Sequence, residues 1–97
     1  MSLSTHVLDA ATGRPARGVP VRLERADGTV LAEASTDADG RITGWAPAEG
    51  VHRLVFDTGG NAFFPEVTVT FRITDTDAHH HVPLLLSPFA YTTYRGS

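Results

Sequence analysis

Five histidines, Arg41 and the C-terminal Tyr94-Arg95-Gly96-Ser97 are the groups in this 97-residue chain with the most obvious capacity for chemistry. An imidazole titrates near neutrality, so His6, His52, His79, His80 and His81 are candidates for taking or returning a proton. Three of them are consecutive. In a strand, His79 and His81 would share one face while His80 points to the other. The chain has no cysteine and no His-x-x-Glu-His pattern, so the row reads as hydrogen-bonded histidines rather than a metal centre. Asp37-Ala38-Asp39-Gly40 shares part of a calcium loop but lacks the later glutamate, and reads as a plain turn. Arg41 follows that turn, where a side chain emerges at the mouth of a sandwich; taken alone it is a solvated charge. The tail brings a phenol, a guanidinium and a carboxylate within four residues, and by itself it reads equally as a frayed terminus. No Gly-x-Ser-x-Gly elbow is present, which argues against a serine nucleophile.

The elements that would position these groups are strands. Thr5–Asp9 forms the first run, closed by Ala11-Thr12-Gly13-Arg14-Pro15. Val19, Val21 and Leu23 alternate with polar residues, the period of a half-buried strand. Asp27-Gly28 signals a hairpin, and Thr29–Thr36 returns from it. After a short run at Arg41–Trp45, His52, Leu54 and Phe56 share one face of the next strand. Val67, Val69, Phe71 and Ile73 share a face in the clearest strand of the chain. Val82-Pro83-Leu84-Leu85-Leu86 is continuously apolar, as in a strand covered on both faces. Pro83 has no amide hydrogen, which predicts a bulge or an edge there. Phe89–Tyr94 supplies the last strand. About eight short strands without helical periodicity predict a single-domain, all-β antiparallel sandwich over residues 1–97.

Composition narrows the classes of function. The formal net charge of −3 offers no basic footprint for nucleic acid or an anionic membrane. No apolar run approaches the roughly 20 residues needed to span a bilayer, and the first six residues carry no signal core. Absence of cysteine is compatible with a reducing compartment, and the chain reads as a soluble cytoplasmic protein.

Read in order, several segments resemble the transthyretin-like family. They are Ser4-Thr5-His6-Val7-Leu8-Asp9, Thr12-Gly13-Arg14-Pro15-Ala16, Gly18-Val19-Pro20-Val21, Thr36-Asp37-Ala38-Asp39-Gly40-Arg41 and Phe63-Phe64-Pro65-Glu66-Val67. The stretch His79–Pro88 and the Tyr94-Arg95-Gly96-Ser97 tail are similar to the hydrolase branch of that family in particular. The hormone carrier transthyretin departs from the hydrolase pattern at the counterparts of His6, Arg41 and His81 and at the tail. The resemblance implies hydrolysis of 5-hydroxyisourate to 2-oxo-4-hydroxy-4-carboxy-5-ureidoimidazoline, without metal or organic cofactor. His6, Arg41, His81 and Ser97 would be the catalytic groups. Arg41, Tyr94, Arg95, Gly96 and Ser97 would bind substrate. The resemblance also implies a homotetramer, with sites in clefts between facing dimers. Family members usually carry a helical segment before the Phe-Phe-Pro-Glu motif. Residues 57–62 are too short for it, so a turn is expected. The competing readings are a non-catalytic small-molecule binder with a transthyretin-type channel and a generic sandwich module.

Overall fold

Strands that are apolar on one face bury those faces against each other, and here they do so as two stacked sheets. The computed structural model describes residues 2–96. Its strands are β1 (Ser2–Asp9), β2 (Arg14–Pro15), β3 (Pro20–Arg25), β4 (Val30–Ser35), β5 (Arg41–Trp45), β6 (Gly50–Asp57), β7 (Glu66–Ile73), β8 (His79–Ser87) and β9 (Ala90–Thr93). One sheet has the order β4-β3-β6-β7. The other runs β2-β1-β8-β9, and β5 also pairs with β1. Leu8 and Asp9 pair with β2, while Leu3, Thr5 and His6 pair with β5. There is no helix among the described residues, as the short 57–62 segment predicts. Instead Asn61 ties that turn together: its side-chain oxygen accepts from the amides of Phe63 and Phe64, and its Nδ2 donates to the Ser87 carbonyl.

Three features differ from the sequence expectation. Arg14-Pro15 forms a ninth, two-residue strand. The sandwich is not wholly antiparallel, because β1 and β8 run parallel from Ser2↔His79 to Asp9↔Leu86. Alternation tells a strand which face to bury, but strand direction is set by the crossover: the chain leaves β7 in one sheet and enters β8 in the other. Finally, Pro83 lies in an interior strand flanked by β1 and β9, not at an edge. The missing amide appears as a gap in the β8–β9 ladder. That ladder runs from Ser87↔Ala90 to Leu84↔Thr93, lapses at Pro83, and returns as an isolated bridge, His81↔Gly96. Thr93 Oγ1 donates to the Pro83 carbonyl across the gap (2.9 Å).

The core lies between the sheets. Leu3 and Val7 of β1, Val82 and Leu84 of β8, Val21 and Leu23 of β3, Leu54 and Phe56 of β6, Ile42 and Val67 are all buried in one cluster. Full burial of a side chain such as Leu84 or Phe56 contributes about 1.5–3 kcal/mol relative to exposure. His80 and His52 point into this interior, each bonded through Nδ1 to a carbonyl two residues back. Neither is available to an outward-facing site.

Candidate active site

The period of two in β1 sends Leu3, Thr5 and Val7 inward, leaving Ser2, Ser4 and His6 on the outer face of the sheet. In β8 the same rule turns Val82 and Leu84 inward and His79 and His81 outward. The parallel register sets Ser2 opposite His79 and Ser4 opposite His81. On the other side of β1, His6 pairs with Arg41 of β5. Arg41, His6 and His81 therefore stand on three adjacent strands, β5-β1-β8, and face the same way. Arg41 sits on a sheet face rather than at the mouth of the sandwich.

Local chemistry explains the placement of Arg41. The Asp37 carboxylate accepts from the amides of Asp39 (2.8 Å) and Arg41 (2.9 Å). Gly40 has φ +75° and donates to the Asp37 carbonyl (2.9 Å), while its own carbonyl accepts from Val7 (2.7 Å). A Cβ at Gly40 would lie 2.5 Å from the Val7 oxygen, so only glycine permits β5 to start so close to β1. The Arg41 and Asp39 amides, with the charges of Arg41 and His6, hold the Asp37 carboxyl below its usual range. Further along β5, Thr43 and Gly44 together oppose Ser4, a bulge made possible by φ +88° at Gly44.

His81 is half-buried, and burial is the main cause that pushes its pKa below that of an ordinary histidine. The charges of Arg41, His6 and His79 push in the same direction. Its Nδ1 is engaged by Ser4 Oγ at 2.7 Å. A neutral imidazole with one nitrogen held and the other free is equipped to accept a proton.

The tail meets this site through Gly96, whose amide donates to the His81 carbonyl (2.8 Å). A Cβ on Gly96 would collide with the His81 ring, so the approach requires glycine. Continuing the β8–β9 register past Thr93 sets Tyr94 opposite Pro83, toward the face of His6, and Arg95 opposite Val82. Tyr94 and Arg95 both line a hollow with His81, Phe71 and Val69 at the open edge between the sheets. Of the tail residues named from the sequence, Gly96 touches His81, whereas Arg95 falls on the side away from Arg41. Ser97 lies outside the described residues. Among the described residues, no group of three or more His, Asp and Glu side chains converges as a metal cage.

Residues 3–96, nearly the whole chain, match the model of the HIUase/Transthyretin family. The chain belongs to that family. A family relative from Salmonella dublin, a 5-hydroxyisourate hydrolase, is 48% identical over 109 residues, covering 98% of this chain and 80% of the relative. That alignment is longer than this 97-residue member, so the relative carries segments that are missing here. The 5-hydroxyisourate hydrolase of Klebsiella pneumoniae superposes with a TM-score of 0.88 at 40% identity, over all of both chains. Sea bream transthyretin in complex with thyroxine superposes at 0.83 with 34% identity, over 97% of this chain and 93% of that one. Within the HIUase/Transthyretin family one sandwich thus serves a hydrolase and a thyroxine-binding protein, and side chains, not topology, must separate them.

Sequence reasoning gave no site role to three residues that the fold sets around His81 and Arg41: Ser4, His79, which it named only as one of five candidate proton carriers, and Asp37, which it read as part of a plain turn. A signal existed for two of them. Period-two alternation already places Ser4 with His6, and His79 with His81. What joins the two pairs is the parallel register, which no local pattern encodes.

Proposed function

We propose that this chain hydrolyses 5-hydroxyisourate to 2-oxo-4-hydroxy-4-carboxy-5-ureidoimidazoline, a step of urate breakdown, and that His6, Arg41 and His81 perform the reaction. The observation that carries this reading is the common outward face of Arg41, His6 and His81 on three adjacent strands. Opening a ring amide needs an activated water, a partner for the developing oxyanion, and a proton for the leaving nitrogen. His81 takes the proton from water, because burial and the neighbouring cations keep it neutral and Ser4 holds its Nδ1. General-base assistance of this kind contributes about 10²–10⁴-fold. Arg41, exposed and fixed at its backbone by Asp37, presents its guanidinium fork to the oxygen-rich substrate and to the charge that forms on it. His6 delivers the proton to the leaving nitrogen. Gly96 holds the tail against His81, which keeps Tyr94 at the rim on the side of His6, while Arg95 lines the neighbouring hollow with Val69 and Phe71.

The proposal includes a homotetramer in which facing copies enclose the site. In support, Arg41 is exposed and His6 and His81 are half-covered in the single chain. Among the described residues no strand pairs with the outer edge of β9, and Phe63, Phe89, Tyr91 and Tyr94 are exposed along that side.

The test is direct. Urate oxidase generates 5-hydroxyisourate from urate, and its ultraviolet decay is followed with and without the protein. Rapid decay that is lost by at least about 100-fold in folded His6→Ala, Arg41→Ala and His81→Ala is the expected outcome. Unchanged spontaneous decay with folded wild-type protein would sink the hydrolase reading and favour a non-catalytic ligand-binding role.

A further inference from the structure

Behind His81, away from the free Nε2, lies a continuous chain of hydrogen bonds. His81 Nδ1 is 2.7 Å from Ser4 Oγ, Ser4 Oγ is 3.1 Å from His79 Nε2, and His79 Nδ1 is 2.6 Å from Ser2 Oγ. The two imidazoles are nearly parallel, with centroids 6.4 Å apart and an interplanar angle of 15°. Ser4 is buried, Ser2 is half-buried, and His79 is exposed. The chain therefore runs from the reacting face of His81 through a dry hydroxyl to solvent.

One hydroxyl hydrogen cannot serve two imidazole nitrogens. When Ser4 donates to His79 it must accept from His81 Nδ1–H, which leaves His81 Nε2 a bare lone pair. When Ser4 donates to His81 Nδ1 it must accept from His79 Nε2–H, and His81 then carries its hydrogen on Nε2. The first arrangement is a base and the second is an acid, and both are neutral. Reversing the bonds converts one into the other.

We propose that Ser4 and His79 are positioning residues that form a reversible proton relay for His81. The inference rests on the hydrolase reading above. As His81 Nε2 takes a proton from water, Nδ1–H passes its proton to Ser4 Oγ, and Ser4 passes its own to His79 Nε2. His79 Nδ1–H goes to Ser2 Oγ, and Ser2 releases one proton to solvent. One proton enters and one leaves, and no imidazolium is held beside Arg41. The reverse sequence restores a proton to Nδ1 as Nε2–H is given up. The charged and titratable groups around His81 are Arg41 on β5, His6 on β1, His79 on its own strand, and Arg95 in the tail. Burial and then the Arg41 charge disfavour a charged His81, which is the circumstance in which a relay is useful.

His79→Gln tests the relay at an exposed position where folding is safe, and Ser4→Ala tests it at the hinge. Each should lower kcat by about 10-fold or more while KM stays within about 2-fold, and Ser4→Thr, which keeps the hydroxyl, should restore most of kcat. In mixtures of light and heavy water, kcat should follow a curved dependence on deuterium fraction in wild type and a straight one in His79→Gln. Wild-type kcat in both folded variants, or losses confined to KM, would overturn the relay. A second measurement needs no substrate. The nitrogen-15 spectrum of His81 reports its tautomer ratio, which should change in both His79→Gln and Ser4→Ala. An unchanged ratio overturns the relay even if wild type turns over 5-hydroxyisourate; a changed ratio with no turnover by wild type sustains the relay and sinks the hydrolase reading.

Discussion

At the residue scale the proposed chemistry depends on keeping His81 neutral. Burial first, and then the charges of Arg41, His6 and His79, move its pKa below the ordinary histidine value of 6.5. Between that depressed value and 6.5 the unfolded chain binds a proton that the folded chain refuses, so this group makes stability rise with pH across the window. Below the depressed pKa both states are protonated and the contribution has reached its full penalty. In activity the sign is the same: kcat/KM should hold as pH falls past 6.5 and decline only through the lower midpoint. Nitrogen-15 titration of His81 checks this independently of turnover. The midpoint should lie below 6.5 and move upward in Arg41→Gln, since one of the opposing charges is gone. A midpoint at or above 6.5 in wild type would contradict the assignment of His81 as base.

At the scale of elements, two glycines govern how strands meet the site. Gly40 combines φ +75° with contact between the start of β5 and the Val7 carbonyl. Gly40→Ala should cost at least about 1–2 kcal/mol from the left-handed backbone alone, read as a lower denaturant midpoint with an unchanged m value. Because that turn aims Arg41, activity should fall with it. Gly96→Ala is a contrasting case. Its Cβ would strike the His81 ring, yet Gly96 lies beyond the last strand and belongs to no core cluster. The expected outcome is a large loss of kcat with a Tm close to that of wild type. Parallel melting curves and rate measurements on the two variants separate these roles. Pro83 belongs to the same scale: by interrupting the β8–β9 ladder it leaves the tail free of strand pairing until Gly96 rejoins His81.

For the whole molecule, β8 faces two ways. Leu84 is fully buried between the sheets, whereas Leu85 is half-covered on the outer face that carries His81. Leu84→Ala should cost about 2–5 kcal/mol and threaten the fold itself. Leu85→Glu should leave the monomer folded but block face-to-face association of copies. Sedimentation velocity on Leu85→Glu, with circular dichroism as a folding control, distinguishes these outcomes. If the site is enclosed between copies, this folded monomer should also lose activity; full activity in a demonstrably monomeric Leu85→Glu would count against an intersubunit site.

Much of this architecture was legible in the chain before folding. Alternation in residues 5–9, 19–23, 51–56 and 67–73 determined which faces are buried, because side chains on a pleated strand have no other choice. Asp27-Gly28 and Asp37–Gly40 determined turns through backbone chemistry that is local by nature. The six-residue 57–62 segment was too short for a helix. Of the residues that the resemblance named, the fold sets His6, Arg41 and His81 on one sheet face and brings Gly96 against His81, while Arg95 falls on the side away from Arg41 and Ser97 lies outside the described residues. What only the tertiary structure decided is which strand lies beside which. The parallel β1–β8 register, set by a crossover between sheets, brings Ser4 to His81 and His79 to Ser2 across more than 70 residues of chain. No local pattern encodes a neighbour so distant, so the hydrogen-bonded chain behind His81 exists in the folded protein and is invisible in the sequence.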